Sequence, residues 1–234
     1  VLRRRQRQMC IRDRFPTLIT VGKREVDELE KESWFSAYLE MSDEDGKSMD
    51  YLGYQSIHHD KRFMKVFSDV ADTIRNHLKT LGVDIEIIDI HITKSWFNVK
   101  KEHGNPIHNH AENHLSFTYY PHLRQDKQLV FYQDRNKVNN DVYEDFLESN
   151  VNEWYDINAT SYSLPVREGN IFVFPSRLLH GVGTKHKETS LESFKNRDDL
   201  ESSRFCVGGD AILTRKDTKG YNKLLTPIEN WRKF

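Results

Sequence analysis

At Asp84 the spacing of apolar residues changes, and that change limits the folds open to this chain. Before it, Phe63, Val66, Phe67, Val70, Ile74 and Leu78 recur every three or four positions, the period of a helix with one buried face. After it, apolar residues alternate or come in short runs. These are Ile85 to Ile92, Trp96 to Lys100, Leu115 to Tyr120, Gln128 to Gln133, Trp154 to Leu164, Asn170 to Phe174 and Arg204 to Leu213. Short strands separated by Gly, Pro and Asn turns predict an antiparallel sandwich or barrel. A chain of 234 residues, 37% of them hydrophobic, suffices for one such core.

The first third supplies the helices. Phe15 to Val21 reads as a short strand and Glu25 to Met41 as a helix, with Trp34, Ala37, Tyr38 and Met41 on one face. Acidic residues gather in its first turns, where the helix dipole favours them. Ser42 to Tyr54 is a polar loop. Asp60 opens a second helix that runs to Leu81 and stops at Gly82. Both helices are expected on the outside of the sheet. Thr184 to Ser203 is charged and aperiodic. It is expected to be a mobile insertion, placed to act as a lid.

Residues 1–14 stand apart. They are basic, and Arg7-Gln-Met-Cys-Ile-Arg-Asp13 resembles the translation of a sequencing adapter. They are set aside as a non-native tail. The remainder, 15–234, is read as a single domain with a helical flank over 22–82 and a β core over 84–214. Lys plus Arg (35) nearly cancels Asp plus Glu (36), so no general field draws the protein to nucleic acid or anionic lipid. Cys10 and Cys206 build neither a disulfide framework nor a cysteine zinc module. No apolar run reaches the length of a membrane span, and a cytoplasmic location is the default expectation.

The chemistry concentrates in Gly104-Asn-Pro-Ile-His108-Asn-His110-Ala-Glu112-Asn-His114, which leads into an apolar strand. On an extended backbone, residues two apart face the same side, so His108 and His110 can reach one metal ion. His180, where the strand Gly169-Asn-Ile-Phe-Val-Phe-Pro175 gives way to a turn, is the candidate third ligand. Imidazole suits iron, zinc, copper and nickel, and three protein ligands leave positions open for substrate. Glu112 is an alternative to His110. His114 shares the parity of the pair and could line the same pocket, though a hydrogen-bonded or exposed role is expected. His58, His59, His103, His122 and His186 are not expected to ligate.

Several segments together resemble the iron(II)- and 2-oxoglutarate-dependent dioxygenase superfamily. They are Trp96-Phe-Asn98, Gly104, His108-Asn-His110, Leu115-Ser116-Phe-Thr-Tyr119-Tyr120, Leu129-Val-Phe-Tyr-Gln-Asp134, Gly169 to His180 and Arg204-Phe-Cys-Val, in that order. The likeness spans roughly Glu86 to Leu213 and lies nearest an oxygenase branch common in marine bacteria and phages. It implies a double-stranded β-helix, or jelly roll, with flanking helices. It implies a metal-binding oxidoreductase, a hydroxylase using Fe(II), 2-oxoglutarate and O2. It also implies that His108 and His180 are ligands and that Arg204 pairs with the distal carboxylate of 2-oxoglutarate, for which a planar guanidinium is suited. Ser116, Tyr119, Tyr120 and Asn98 are further candidates around that carboxylate, and Phe117, Phe172 and Phe174 for excluding water.

This chain departs from the commoner triad, which has Asp or Glu where His110 stands. The centre is then three-histidine, or takes Glu112, or holds another metal. The gap from His180 to Arg204 is also long for the superfamily. The rival readings are a cupin-type metalloprotein that does not use 2-oxoglutarate, and a non-catalytic jelly-roll binding module. Geometry separates them. Converging imidazoles with Arg204 in the same cavity favour the dioxygenase, convergence without Arg204 the cupin, and no convergence the binding module. The substrate expected is a small molecule or a peptidyl side chain, with nucleic acid disfavoured and no membrane partner; oligomeric state is left open.

Overall fold

A computed structural model describes residues 17–42, 56–101, 104–124, 128–132, 161–182, 192–218 and 224–233. The tail 1–14, most of the polar loop after Ser42, the first half of the charged insertion, and His103 and His186 lie outside the described residues.

Among the described residues, nine strands form two antiparallel sheets. In chain order they are β1 (Thr20–Lys23), β2 (Ile88–Lys100), β3 (Asn105–His108), β4 (Leu115–Leu123), β5 (Gln128–Tyr132), β6 (Ser161–Pro165), β7 (Asn170–Pro175), β8 (Leu179–Val182) and β9 (Arg204–Arg215). One sheet runs β1-β7-β4-β9-β2 and the other β3-β8-β5-β6. The architecture is the expected mainly β jelly roll with flanking helices. The helices are α1 (Glu28–Met41), α2 (Met64–Thr80) and the short α3 (Arg197–Glu201).

Two apolar layers follow from the alternation of side chains along the five-stranded sheet. Leu115, Phe117 and Tyr119 of β4 and Phe205 and Val207 of β9 point outward and pack against Trp34, Phe35 and Tyr38 of α1 and Val66, Phe67, Val70 and Ile74 of α2. Trp34 stacks on Phe63 with ring centroids 3.5 Å apart. Tyr120, Phe172, Phe174 and Cys206 point inward and meet Leu129, Phe131 and Val182 of the second sheet. Phe117, Phe172 and Phe174 are all buried.

Four sequence expectations need correction. Helix α1 begins at Glu28, because Asp27 accepts a hydrogen bond from the Glu30 N–H and caps it there. Asp60 caps a 3-10 turn, Lys61–Phe63, and the α-helix starts only at Met64. The two strands expected from Ile85 to Lys100 are one, β2, preceded by a 3-10 turn at Ile85–Ile87 and irregular between Ile92 and Lys94. The described part of the charged insertion is not loose. Phe194 and Leu200 are buried, Phe194 lies edge-on to Tyr38 of α1, and Asn196 caps α3. Two apolar anchors outweigh the charged composition that suggested mobility.

Candidate metal centre

Local geometry brings the three imidazoles together. His108 and His180 are direct partners in the antiparallel β3–β8 ladder, and their ring centroids lie 4.4 Å apart. His110 follows in the turn after β3, held by its N–H to the Ser176 carbonyl at 2.7 Å. Its ring lies 5.1 Å from that of His108 and 5.2 Å from that of His180. Potential ligand nitrogens of the three all fall within 4.8 Å of one another.

Each ring has its Nδ1 engaged. His108 Nδ1 lies 2.8 Å from the Pro106 carbonyl, His180 Nδ1 2.8 Å from the Leu178 carbonyl, and His110 Nδ1 2.6 Å from Asp210 Oδ1. Oxygen acceptors fix the proton on Nδ1 and leave Nε2 as the free donor, the arrangement a metal requires. Burial pushes His180 down to about 3, reinforced by His108, and burial also lowers His108. Phe174, 4.7 Å away by centroid, is part of the apolar wall that desolvates His180. Both rings are therefore neutral, as ligands must be.

Asp210 is a residue of the candidate site that the sequence reading missed. It is fully buried and meets four donors: His110, Ser116 Oγ at 2.5 Å, Lys94 Nζ at 3.1 Å and Asn113 Nδ2 at 3.3 Å. Burial raises its carboxyl pKa, but these partners outweigh it and the group sits below the usual carboxylate range. The signal was present in the strand parity. Counting by two from Arg204 passes Cys206 and Gly208 and arrives at Asp210.

The same inner face carries the rest of the cleft, a space of about 440 Å³ open to solvent. Arg204 lines it while only 1% exposed. Its Nη2 reaches Asn98 Oδ1 only at 3.5 Å, and its Nε has no hydrogen-bond partner among the described residues. Tyr120 and Cys206 flank it. Burial raises both, Cys206 to about 11, so both are neutral. Trp96, across the ladder from Gly208, lies 5.3 Å from the His110 ring. A Cβ on Gly208 would stand 2.9 Å from that indole, so only glycine admits it.

Other candidates lie elsewhere. Tyr119 is on the opposite face of β4, where its hydroxyl donates to Glu30 beside Arg24. Tyr120, its neighbour on the other side of the pleat, is the one that lines the cleft. Ser116 points inward but is spent on Asp210, with Ser176 Oγ 3.0 Å away. Glu112 is exposed in the turn and takes no part in the histidine cluster. His114 accepts the Leu213 N–H at 2.8 Å instead of lining the pocket.

Comparison with known proteins matches residues 94–194 to the model of a family described as "Putative 2OG-Fe(II) oxygenase". Among solved structures, SnoN, a non-heme alpha ketoglutarate dependent epimerase from nogalamycin biosynthesis, aligns over 84% of this chain and 78% of its own. The identity is 10% and the TM-score 0.50. ThoJ, a non-heme monooxygenase in its apo form, aligns over 90% of this chain and 81% of its own, at 9% identity and a TM-score of 0.50. HygX from Streptomyces hygroscopicus, with nickel and 2-oxoglutarate bound, aligns over 83% of this chain and 82% of its own, at 12% identity and a TM-score of 0.47. At such identities the structural likeness concerns the fold alone. None of the curated proteins matches the chain.

Proposed function

We propose that in this chain, which carries a 2OG-Fe(II) oxygenase domain over residues 94–194, His108, His110 and His180 hold the iron and Arg204 anchors the far carboxylate of 2-oxoglutarate. The domain makes the chain an iron(II)- and 2-oxoglutarate-dependent oxygenase, an oxidoreductase that uses O2. The observation that supports the residue assignment is one of placement. Three imidazoles with their Nδ1 atoms engaged converge in a cleft that Arg204 also lines. Convergence with Arg204 favours this reading over a cupin without 2-oxoglutarate and over a binding module.

The residues fit both groups. A borderline metal is suited to a set of imidazole nitrogens. A buried guanidinium with an unpartnered Nε is suited to an incoming carboxylate, which it can meet with paired N–H donors. Bound iron with its cosubstrate supplies the oxidising chemistry, which turns 2-oxoglutarate into succinate and CO2 as the substrate is oxidised. The chain's own residues do the rest. Pro106, Leu178 and Asp210 orient the rings through their Nδ1 atoms. Phe174 and Phe131 keep water from His180. Asn98 and Tyr120 border the anchor with neutral polar groups.

The substrate proposed is a small molecule hydroxylated at a C–H bond. A near-neutral net charge gives no general pull toward nucleic acid. A peptidyl side chain is the second substrate class consistent with the open mouth. No helix among the described residues is long and apolar enough to cross a membrane; a cytoplasmic setting is proposed. The test is metal analysis with succinate release from 2-oxoglutarate, run with and without oxygen. Oxygen-dependent succinate from iron-loaded protein is expected. Absence of both metal uptake and succinate overturns the assignment.

A further inference from the structure

The three imidazoles are not equivalent. His108 and His180 donate their Nδ1–H to main-chain carbonyls, which are neutral acceptors. His110 meets the fully buried carboxylate of Asp210. Its ring is also confined by Ser116 Oγ at 3.1 Å and by Trp96. Ser116 and Lys94 are the direct cross-strand partners of Asp210 in β4 and β2. Two strand neighbours, the Asn113 side chain and one ligand ring thus aim at a single carboxylate.

We propose that Asp210 acts through His110 as the resident negative charge of the metal centre, a positioning residue that fixes the ring and strengthens Nε2 as a donor. The inference rests on the three-histidine assignment above. Three neutral imidazoles bring no charge to a divalent ion. A carboxylate on the far nitrogen of one ring draws its proton outward and returns electron density to the metal-facing nitrogen. Stability alone gives no reason for an acid here, since buried ion pairs replaced by well-packed apolar groups are often neutral or stabilising. The carboxylate also sits behind the one ligand that occupies the second place of the His-x-His pair. The charge is present, displaced outward by one ring.

The experiment titrates Co(II) into the wild-type chain and into Asp210→Asn, against a competing chelator, with circular dichroism as the folding control. Asparagine keeps the shape and an acceptor oxygen but removes the charge. Co(II) affinity is expected to fall about 10–100-fold, with an altered Co(II) absorption spectrum. Affinity within about twofold of wild type, at a tenfold scale expected for lost outer partners, overturns the proposal. A wild-type chain that takes up no Co(II) overturns the three-histidine assignment itself, which is a different result. Should Asp210→Asn not fold, proton NMR of the Zn(II)-loaded wild type decides. The His110 Nδ1–H is expected farther downfield than those of His108 and His180, as a donor to an ionised acceptor. Three equivalent resonances overturn the role.

Discussion

Arg204 and Asp210 invite comparison because they share a strand, a face and a degree of burial, yet not a fate. Asp210 is met by four donors. Among the described residues, Arg204 has one long side-chain contact and an Nε with no hydrogen-bond partner. A buried charge without a partner costs several kcal/mol of desolvation. The protein satisfies the first charge internally and leaves the second with an open Nε, which is what the proposed anchoring of 2-oxoglutarate uses. A saturated buried charge organises a site; an unsaturated one marks where a ligand goes.

The largest effect should come from removing a ligand at the Asp210 end of the cleft. His180→Ala is expected to abolish tight iron binding, measured by anaerobic titration, because it deletes one of the three converging imidazoles. The same substitution reports on acid stability. The folded pKa of His180 is depressed to about 3, below its unfolded value near 6.5. Between those values the unfolded chain binds the extra proton, so stability present above about pH 6.5 declines as pH falls toward 3. Metal-free wild type should lose stability across that window in denaturant titrations, and His180→Ala should lose less.

Next is the other end. Arg204→Met should weaken 2-oxoglutarate by about 1.5–3 kcal/mol, roughly 10–150-fold, the worth of a hydrogen bond to a charged group. Metal affinity should hold. Because the guanidinium is unsatisfied, the ligand-free variant should melt at or above the wild-type temperature, in line with apolar replacement of buried charge. A clear loss of stability would erase the contrast with Asp210.

A smaller change tests the saturated end. Ser116→Ala removes one of several donors to Asp210 and should cost about 1–2 kcal/mol in urea unfolding, with 2-oxoglutarate affinity unaffected. Smallest of all is Asn98→Ala. Its contact with Arg204 is 3.5 Å, at the outer limit of a hydrogen bond, so 2-oxoglutarate affinity should move by no more than about threefold, under the ~1 kcal/mol of an ordinary bond.

The same contrast explains what could be read from the chain beforehand. The jelly roll was legible because alternation and turn residues are local signals. His108, His110 and His180 were legible because imidazoles two apart, with a third at a strand end, are scarce enough to notice. Arg204 came forward only with the family resemblance. Asp210 did not, since an acid among 36 draws no attention until the register with Ser116 and Lys94 is known. Naming both Tyr119 and Tyr120 ignored the pleat, which sends one toward Glu30 and the other to the cleft. The split of β2 was over-read from Thr93 to Ser95, where the pairing register with β9 shifts between Ile92 and Lys94 within a continuous strand. Phe194 and Leu200 show why composition misjudged the described part of the insertion, residues 192–203: two well-placed anchors dock it despite its charge.

Strand β9 lies inside its sheet, laddered to β4 on one side and β2 on the other. A strand gripped along both edges cannot slide or stretch, so the interval between Arg204 and Asp210 behaves as a fixed gauge at about 3.3 Å per residue. One jaw is the histidine cluster that Asp210 steadies, the other the guanidinium. The separation of the two ends of the proposed site thus rests on ladder hydrogen bonds of the backbone, which a change of neighbouring side chains leaves in place.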